Sequence, residues 1–139
     1  MTTSGEPRSV SELMTRDPIV VGIDTPLADA AEVMDFYRVS GLPVVGEDGR
    51  LVGVISQTDL LHARTNQALW QAWPGLAVRH LMTEPAVSIL ANASVAEAAD
   101  LMERLYIHRL VVIDPVEETP IGVLSLTDLV HAMAERGEG

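Results

Sequence analysis

The chain says one thing twice, and that repetition limits its fold more than any other feature. Residues 53–63 read GVISQTDLLHA and residues 122–132 read GVLSLTDLVHA, identical at eight of eleven positions. Upstream, Leu13-Met14-Thr15 returns 68 residues later as Leu81-Met82-Thr83, and Met34 returns as Met102. Pro18 follows the first triplet and Pro85 the second. Two matches in register define a duplicated unit. The copies span residues 10–63 and 78–134, joined by a linker at 64–77 that carries Trp70, Trp73 and Pro74. Two one-residue slips and a longer loop at 115–120 interrupt the register.

Each copy has the same coarse pattern. A short apolar run opens it, Ile19-Val20-Val21 in the first copy and Ala86-Val87 in the second, and reads as a strand. Leu27, Ala30, Ala31, Met34 and Tyr37 then recur at helical spacing, matched by Val95, Ala98, Ala99, Met102 and Leu105. Thr25-Pro26 supplies a cap with proline at the first turn, and Ser94 with Glu97 spells a capping box. A strand at 42–45 or 110–113 follows, then a second at 51–55 or 121–124, with Asp48-Gly49 as a hairpin signal in the first copy. A helix opens at Thr58 or Thr127. The expected fold class is therefore α+β: two β-α-β-β-α repeats. One such unit is too small to be stable alone. The two are expected to pack sheet on sheet with pseudo-two-fold symmetry, leaving two equivalent clefts. The linker extends the helix that begins near Asp59, and its tryptophans serve either core closure or a partner surface.

Composition removes several function classes. Apolar residues make up 47% of the 139 and charged residues 21%, enough for a real core. Nine basic against 20 acidic residues leave a net charge of −11, which repels nucleic-acid backbones and anionic lipid. The absence of cysteine excludes disulfides, thiolate catalysis and Cys-ligated zinc, and suits a cytoplasmic location. No apolar run is long enough to span a bilayer, and the polar start of the chain lacks a signal-peptide core.

The chemistry concentrates at the repeated strand-to-helix junction. Gly53 and Gly122 admit close approach of another group to the strand. Thr58 and Thr127, with Ser56 and Ser125, stand where free N–H groups and hydroxyls can hold an anion. Asp59 and Asp128 are acceptors only, suited to the vicinal hydroxyls of a ribose rather than to a phosphate. The plain alternative is a helix start, with aspartate favoured by the N-terminal dipole. A second feature is Ile107-His108-Arg109-Leu110, a basic pair suited to phosphate at the start of a buried strand. Its alternative is an exposed turn. The first copy has Val39-Ser40-Gly41 there and no basic pair, so the two clefts are not equal. His62 and His131 share a repeat position three residues beyond the aspartates. They read as a helix-surface pair, since a metal would need a third ligand. No nucleophile constellation, Walker loop, HExxH or GxGxxG is present, so no enzyme activity is expected.

These residues resemble the cystathionine-β-synthase (CBS) domain. The resemblance rests on LMT with its following proline, the Thr-Pro-Leu-x-x-Ala helix, Gly41-Leu42-Pro43-Val44-Val45 and GVISQTD, then IHRLVVID and GVLSLTD. It covers nearly the whole chain and implies a stand-alone tandem pair, or Bateman module. By that resemblance the clefts take adenine nucleotides (AMP, ADP, ATP) or S-adenosylmethionine-like ligands. Asp59 and Asp128 match the ribose-binding aspartates, and Ser56, Thr58, Ser125 and Thr127 the polar lining. His108 and Arg109 match the phosphate contacts, while Ile19, Val20, Ala86 and Val87 cover the base. Two departures stand out: Ser40-Gly41 lacks the usual basic residue, and Val111 replaces the usual proline. No cofactor is required, although acidic residues are compatible with Mg beside a polyphosphate. The resemblance also implies a homodimer formed through helices and an unidentified regulated protein. The competing expectation is a ligand-free protein-interaction or scaffold module.

Overall fold

The computed structural model describes residues 8–137; the polar start of the chain, up to residue 7, lies outside the described residues. In chain order the elements are α1 (Val10–Leu13), β1 (Thr15–Arg16), β2 (Val21–Gly22), α2 (Leu27–Tyr37), β3 (Gly41–Val45), β4 (Leu51–Ser56), α3 (Gln57–Thr65) and α4 (Gln67–Ala72). Two 3-10 turns follow, Trp73–Gly75 and Val78–His80. The second half holds β5 (Ser88–Leu90), α5 (Val95–Leu105), β6 (Arg109–Ile113), β7 (Pro120–Ser125) and α6 (Leu126–Gly137). This is a mixed α/β chain with two β-α-β-β-α repeats.

The units in space are not the repeats in sequence. One unit is continuous, Ile19–Ala86; the other combines Met1–Pro18 with Val87–Gly139. The continuous unit has a three-stranded sheet in the order β2-β3-β4, with β2 parallel to β3 and β4 antiparallel to it. The discontinuous unit has four strands in the order β1-β7-β6-β5, with β5 parallel to β6 and the rest antiparallel. Each unit has its own core. Val21, Leu27, Ala30, Met34, Leu42, Val44, Ile55 and Val78 are buried together in the continuous unit. Val10, Met14, Ala98, Met102, Leu110, Val112 and Leu124 are among those buried in the discontinuous one.

A segment containing the LMT triplet completes each sheet. Val10 N–H donates to Ala93 O (2.9 Å), Ser11 N–H to Ala91 O (3.0 Å), and Val95 N–H to Arg8 O (2.9 Å). In the other unit, Val78 N–H donates to Thr25 O (2.8 Å), Arg79 N–H to Ile23 O (3.0 Å), and Leu27 N–H to Leu76 O (3.0 Å). Every donor and acceptor in the second set lies 68 residues from its counterpart. Thr15 pairs with Val123, and Thr83 bridges to Val54. The first triplet thus packs on the strands of the second copy, and the second triplet on those of the first.

The repeated glycines are explained by this packing. A Cβ on Gly53 would lie 2.6 Å from Thr83 O and 3.3 Å from Met82 Sδ. One on Gly122 would collide with Met14 Sδ, with Met14 Cγ at 2.9 Å and Thr15 O at 3.0 Å. The group that approaches the strand backbone is the LMT segment.

Several local expectations are corrected. Ile19 and Val20 precede the first strand rather than forming it, and Ala86 and Val87 precede β5. In the first copy the cause is Pro43. Ile23 N–H bonds to Val45 O, so Val45, and Pro43 two residues earlier, face β2. Pro43 has no N–H to extend that ladder. Its counterpart Val111 does, and Ser88 pairs with it, so β5 gains one residue. Thr25 does not cap α2: its hydroxyl accepts the Gly22 N–H (3.1 Å) and closes the preceding turn, leaving Pro26 at the cap. Ser94 does accept the Glu97 N–H (3.1 Å). Tyr37 and Leu105, which close the two helical stripes and were expected on a surface for dimerisation through helices, are exposed. The linker does not continue α3. Asn66 stops it in extended conformation and caps α4 by accepting the Leu69 N–H (3.0 Å). Trp73 packs on the core of the continuous unit, whereas Trp70 stays partly exposed beneath the Arg64 guanidinium, 4.7 Å from its ring centroid.

Candidate functional site

Register places the candidate residues of each unit along one sheet edge. In the continuous unit β2 and β3 run parallel, and Gly41 at the start of β3 lies opposite Ser56 at the end of β4. Ile19 and Val20, which lead into β2, therefore share an edge with Ser40, Gly41 and the start of α3. In the discontinuous unit Arg109 lies opposite Ser125, and Ser88 opposite Val111. Val87, His108, Arg109, Ser125, Thr127 and Asp128 are gathered there in the same way. Ala86 is the last residue of the continuous unit.

Each helix start is tied to this edge twice. Gln57 N–H donates to Ser40 O (2.9 Å), and Leu126 N–H to His108 O (2.8 Å). Both helices begin one residue earlier than Thr58 and Thr127, which take the second position and are exposed. The caps are the serines. Ser56 Oγ accepts the Asp59 N–H (3.2 Å), while Asp59 Oδ2 accepts from Ser56 N–H (2.8 Å) and Ser56 Oγ–H (3.0 Å). Ser125 Oγ likewise accepts the Asp128 N–H (3.1 Å), and Asp128 Oδ2 accepts the Ser125 N–H (2.8 Å). These are reciprocal capping boxes with aspartate as the third helical residue. The capping and ligand readings of the aspartates are compatible. One oxygen, Oδ2, closes the box, and Oδ1 takes no part in it. Both aspartates are half-buried, whereas His108 and Arg109 are exposed.

The two edges differ in charge placement. The discontinuous unit carries His108 and Arg109 at the mouth of β6, where the continuous unit has Ser40 and Gly41. The continuous unit does have a cation nearby. Arg38 ends α2 in the left-handed conformation (φ 58°), two residues before Ser40. Sequence reading passed over it because it is out of register with the basic pair. The signal available was a non-glycine residue at a helix C-terminus where glycine is favoured. His62 is exposed, and His131 Nε2 lies 3.5 Å from Glu135 Oε2 on the helix surface. Among the described residues no group of three or more His, Cys, Asp or Glu could hold a metal ion. None of their helices is long and apolar enough to cross a membrane.

A duplicated β-α-β-β-α unit with a Ser-x-Thr-Asp box at each sheet edge defines a class of tandem-repeat proteins. The family model described as "CBS domain" matches residues 10–66 and again 78–135, so the chain belongs to the CBS-domain family as a tandem pair. The crystal structure of CBSX2, a CBS-pair protein from Arabidopsis thaliana, superposes with a TM-score of 0.80 at 30% identity, covering 94% of this chain and 97% of that one. CBSX2 in complex with AMP gives 0.79, again at 30% identity, covering 91% and 96%. The human 5'-AMP-activated protein kinase subunit gamma-3 is 34% identical over 122 residues. That match takes in 85% of this chain but 25% of the subunit, so the chain spans about a quarter of that relative's length.

Proposed function

We propose that the chain is a regulatory module that binds an adenosyl ligand, such as AMP, ADP, ATP or an S-adenosylmethionine-like molecule, at these sheet edges. The observation that carries the reading is the aspartate at the third position of each capping box. It is half-buried, stands beside hydroxyls, and keeps Oδ1 outside the box. A carboxylate oxygen so placed accepts from ribose hydroxyls, and the neighbouring hydroxyls and helix N–H groups receive the phosphate end. Support comes from the similarity to CBSX2, whose structure holds AMP. In this reading Ser56, Thr58 and Asp59 serve one ligand, and Ser125, Thr127 and Asp128 another. Ile19, Val20, Ala86 and Val87 supply apolar cover for the base. His108 and Arg109 neutralise phosphate, and Arg38 is the corresponding cation on the edge that lacks them.

The ligand acts as a signal by preferring one arrangement of the module over another. Under this proposal the module has no catalytic role, works in the cytoplasm as a homodimer, and controls a separate protein. Mg would accompany only a polyphosphate. Calorimetry with AMP, ADP, ATP and S-adenosylmethionine tests the ligand reading. Asp128→Asn keeps an acceptor for the Ser125 N–H but weakens the charge-assisted bonds to ribose, so affinity should fall about 10- to 100-fold with little loss of stability. Absence of heat with all four ligands at millimolar concentration would instead favour the scaffold reading.

A further inference from the structure

Residues 8–17 bind the discontinuous unit as a self-contained arm. Val10 is fully buried and Met14 nearly so, while Thr15 and Arg16 form β1 on the edge of β7. Outside that ladder, the arm adds backbone bonds from Val10 to Ala93, Ser11 to Ala91, Val95 to Arg8 and Asp17 to Ile121. Yet the arm is separated from the rest of its unit by 68 residues, Ile19–Ala86. The equivalent arm of the other unit, residues 76–84, is continuous with the strands it completes.

Two further facts bear on how firmly the arm is committed to its own chain. The first is transferability: the same Val-x-x-Leu-Met-Thr pattern makes the same backbone bonds in both units. What differs is the Asp17 N–H bond to Ile121 O, which Pro85 at the matching position cannot make, the group that each repeated glycine meets, and a pair of exposed ion pairs, Arg79 with Asp24 in one unit and Arg8 with Glu135 in the other. Exposed pairs of this kind discriminate weakly. The second is the hinge. Asp17, where the chain leaves the discontinuous unit, has φ 57° and is followed by Pro18. Aspartate tolerates the left-handed conformation better than most residues bearing a Cβ but less freely than glycine, and a short hinge under strain invites exchange of an element between copies.

We propose that residues 8–17 are an exchangeable arm that seats on β7 of a second copy of this chain, giving a segment-exchanged dimer. The inference is independent of the ligand reading. The partner is the chain itself, because the surface that receives the arm matches the Val-x-x-Leu-Met-Thr pattern. Opening the hinge relieves Asp17 while conserving every bond that the arm makes.

Disulfide trapping in the 139-residue chain tests this, since none of its own residues is a cysteine that could compete. Thr15→Cys and Val123→Cys are made separately and as a double variant, because these residues pair across β1 and β7. The double variant should close within one chain. The two single variants, carrying different mass tags and mixed after brief partial unfolding, should yield a mixed disulfide that increases with protein concentration. Asp17→Gly should lower its yield severalfold. The pair Thr83→Cys and Val54→Cys should close within single chains at every concentration. A double variant that closes, alongside mixed single variants that give no product or only Thr15→Cys homodimers, overturns the proposal. So does failure of the double variant to close.

Discussion

The two units are built from one repeated pattern, so the places where they differ isolate single causes. Both use a Val-x-x-Leu-Met-Thr arm over a glycine, a helix with a left-handed end, and a Ser-Asp box at the sheet edge. They differ in what the glycine meets, in the length of the first strand, and in the turn between the last two strands. The pattern is set by what must be buried. The differences fall where one residue type adds or removes a hydrogen bond or a rigid neighbour.

The largest expected effect concerns the glycines. A Cβ on Gly53 meets the Thr83 carbonyl at 2.6 Å, and Thr83 is held by two backbone bonds to Val54, of 2.9 and 3.0 Å. The backbone cannot retreat without breaking that bridge. A Cβ on Gly122 meets mainly the Met14 side chain, which has three rotatable bonds. Gly53→Ala should cost about 3 kcal/mol and Gly122→Ala about 1–2 kcal/mol, at the upper and lower parts of the overpacking range. Urea unfolding measures both. Trimming Met14 to Ala should recover part of the Gly122→Ala loss, whereas trimming Met82 should not rescue Gly53→Ala. Equal costs with equal rescue would remove the distinction.

The second effect concerns strand length. Val111 N–H faces β5, where Pro43 offers no donor to β2. Val111→Pro should shorten β5 by one residue and cost about 1–3 kcal/mol, the penalty of an unmade ladder bond in a buried strand. Pro43→Val should let Val20 join β2. The new residue-43 N–H, which faces the Ile19 carbonyl, should exchange slowly in that variant, and fast exchange there would mean that proline is not what ends the strand.

This difference also shows what could be read from the sequence. The repeat, the strands at 42–45, 51–55, 110–113 and 121–124, and both long helices were legible because periodic burial leaves a periodic sequence. The starts of the first strands were misplaced because apolar Ile19-Val20 looks like a strand whether or not its partner can donate. The proline responsible lies about twenty residues away. Asp59 and Asp128 were legible as junction residues, but the serines beside them were not recognised as the caps. Their box depends on a reciprocal bond, and aspartate as its third residue is less familiar than glutamate. The crossing of the LMT arms was invisible for a different reason. Two identical arms fit two similar sheets equally well on paper, and connectivity in space decides between them.

A smaller effect comes from the helix ends. Arg38 and Tyr106 occupy the same repeat position, both left-handed, at φ 58° and 55°. Val39 N–H returns to Met34 O and Ile107 N–H to Met102 O, both at 3.1 Å, so the turn is the same in both units. Glycine at this position avoids the Cβ penalty. Tyr106 is 92% exposed and has little packing to lose. Tyr106→Gly should therefore stabilise by about 0.5–1 kcal/mol, after the entropy that glycine adds to the unfolded chain is subtracted. Arg38→Gly should stabilise similarly, and a ligand titration separates its structural effect from loss of the cation. If both variants lose stability, the left-handed turn is held by side-chain contacts rather than tolerated despite them.

The smallest effect contrasts the two turns between the last strands. The first copy turns tightly through Asp48 and Gly49, where Gly49 has φ 83° and Asp48 Oδ1 accepts one N–H, from Arg50 at 3.0 Å. The second copy uses the longer loop after Asp114, whose Oδ1 accepts two, from Val116 and Glu117, both at 2.8 Å. Bonds from the Glu117 and Val116 N–H groups hold the Asp114 carboxyl below its ordinary value of 3.8. A lowered value in the folded state means that the native protein resists protonation there. The resulting stability is present above the unfolded value and is lost as pH falls through the folded one. Asp114→Asn should therefore lower stability slightly at neutral pH, and the gap to the parent should close in acid. The carboxylate lies half-buried on a solvent-facing loop, so solvent screening keeps the effect small. Unfolding followed across pH 2–7 for both proteins reads it directly. A gap that persists unchanged at the acid end would mean that the loop depends on the shape of the side chain rather than on its charge.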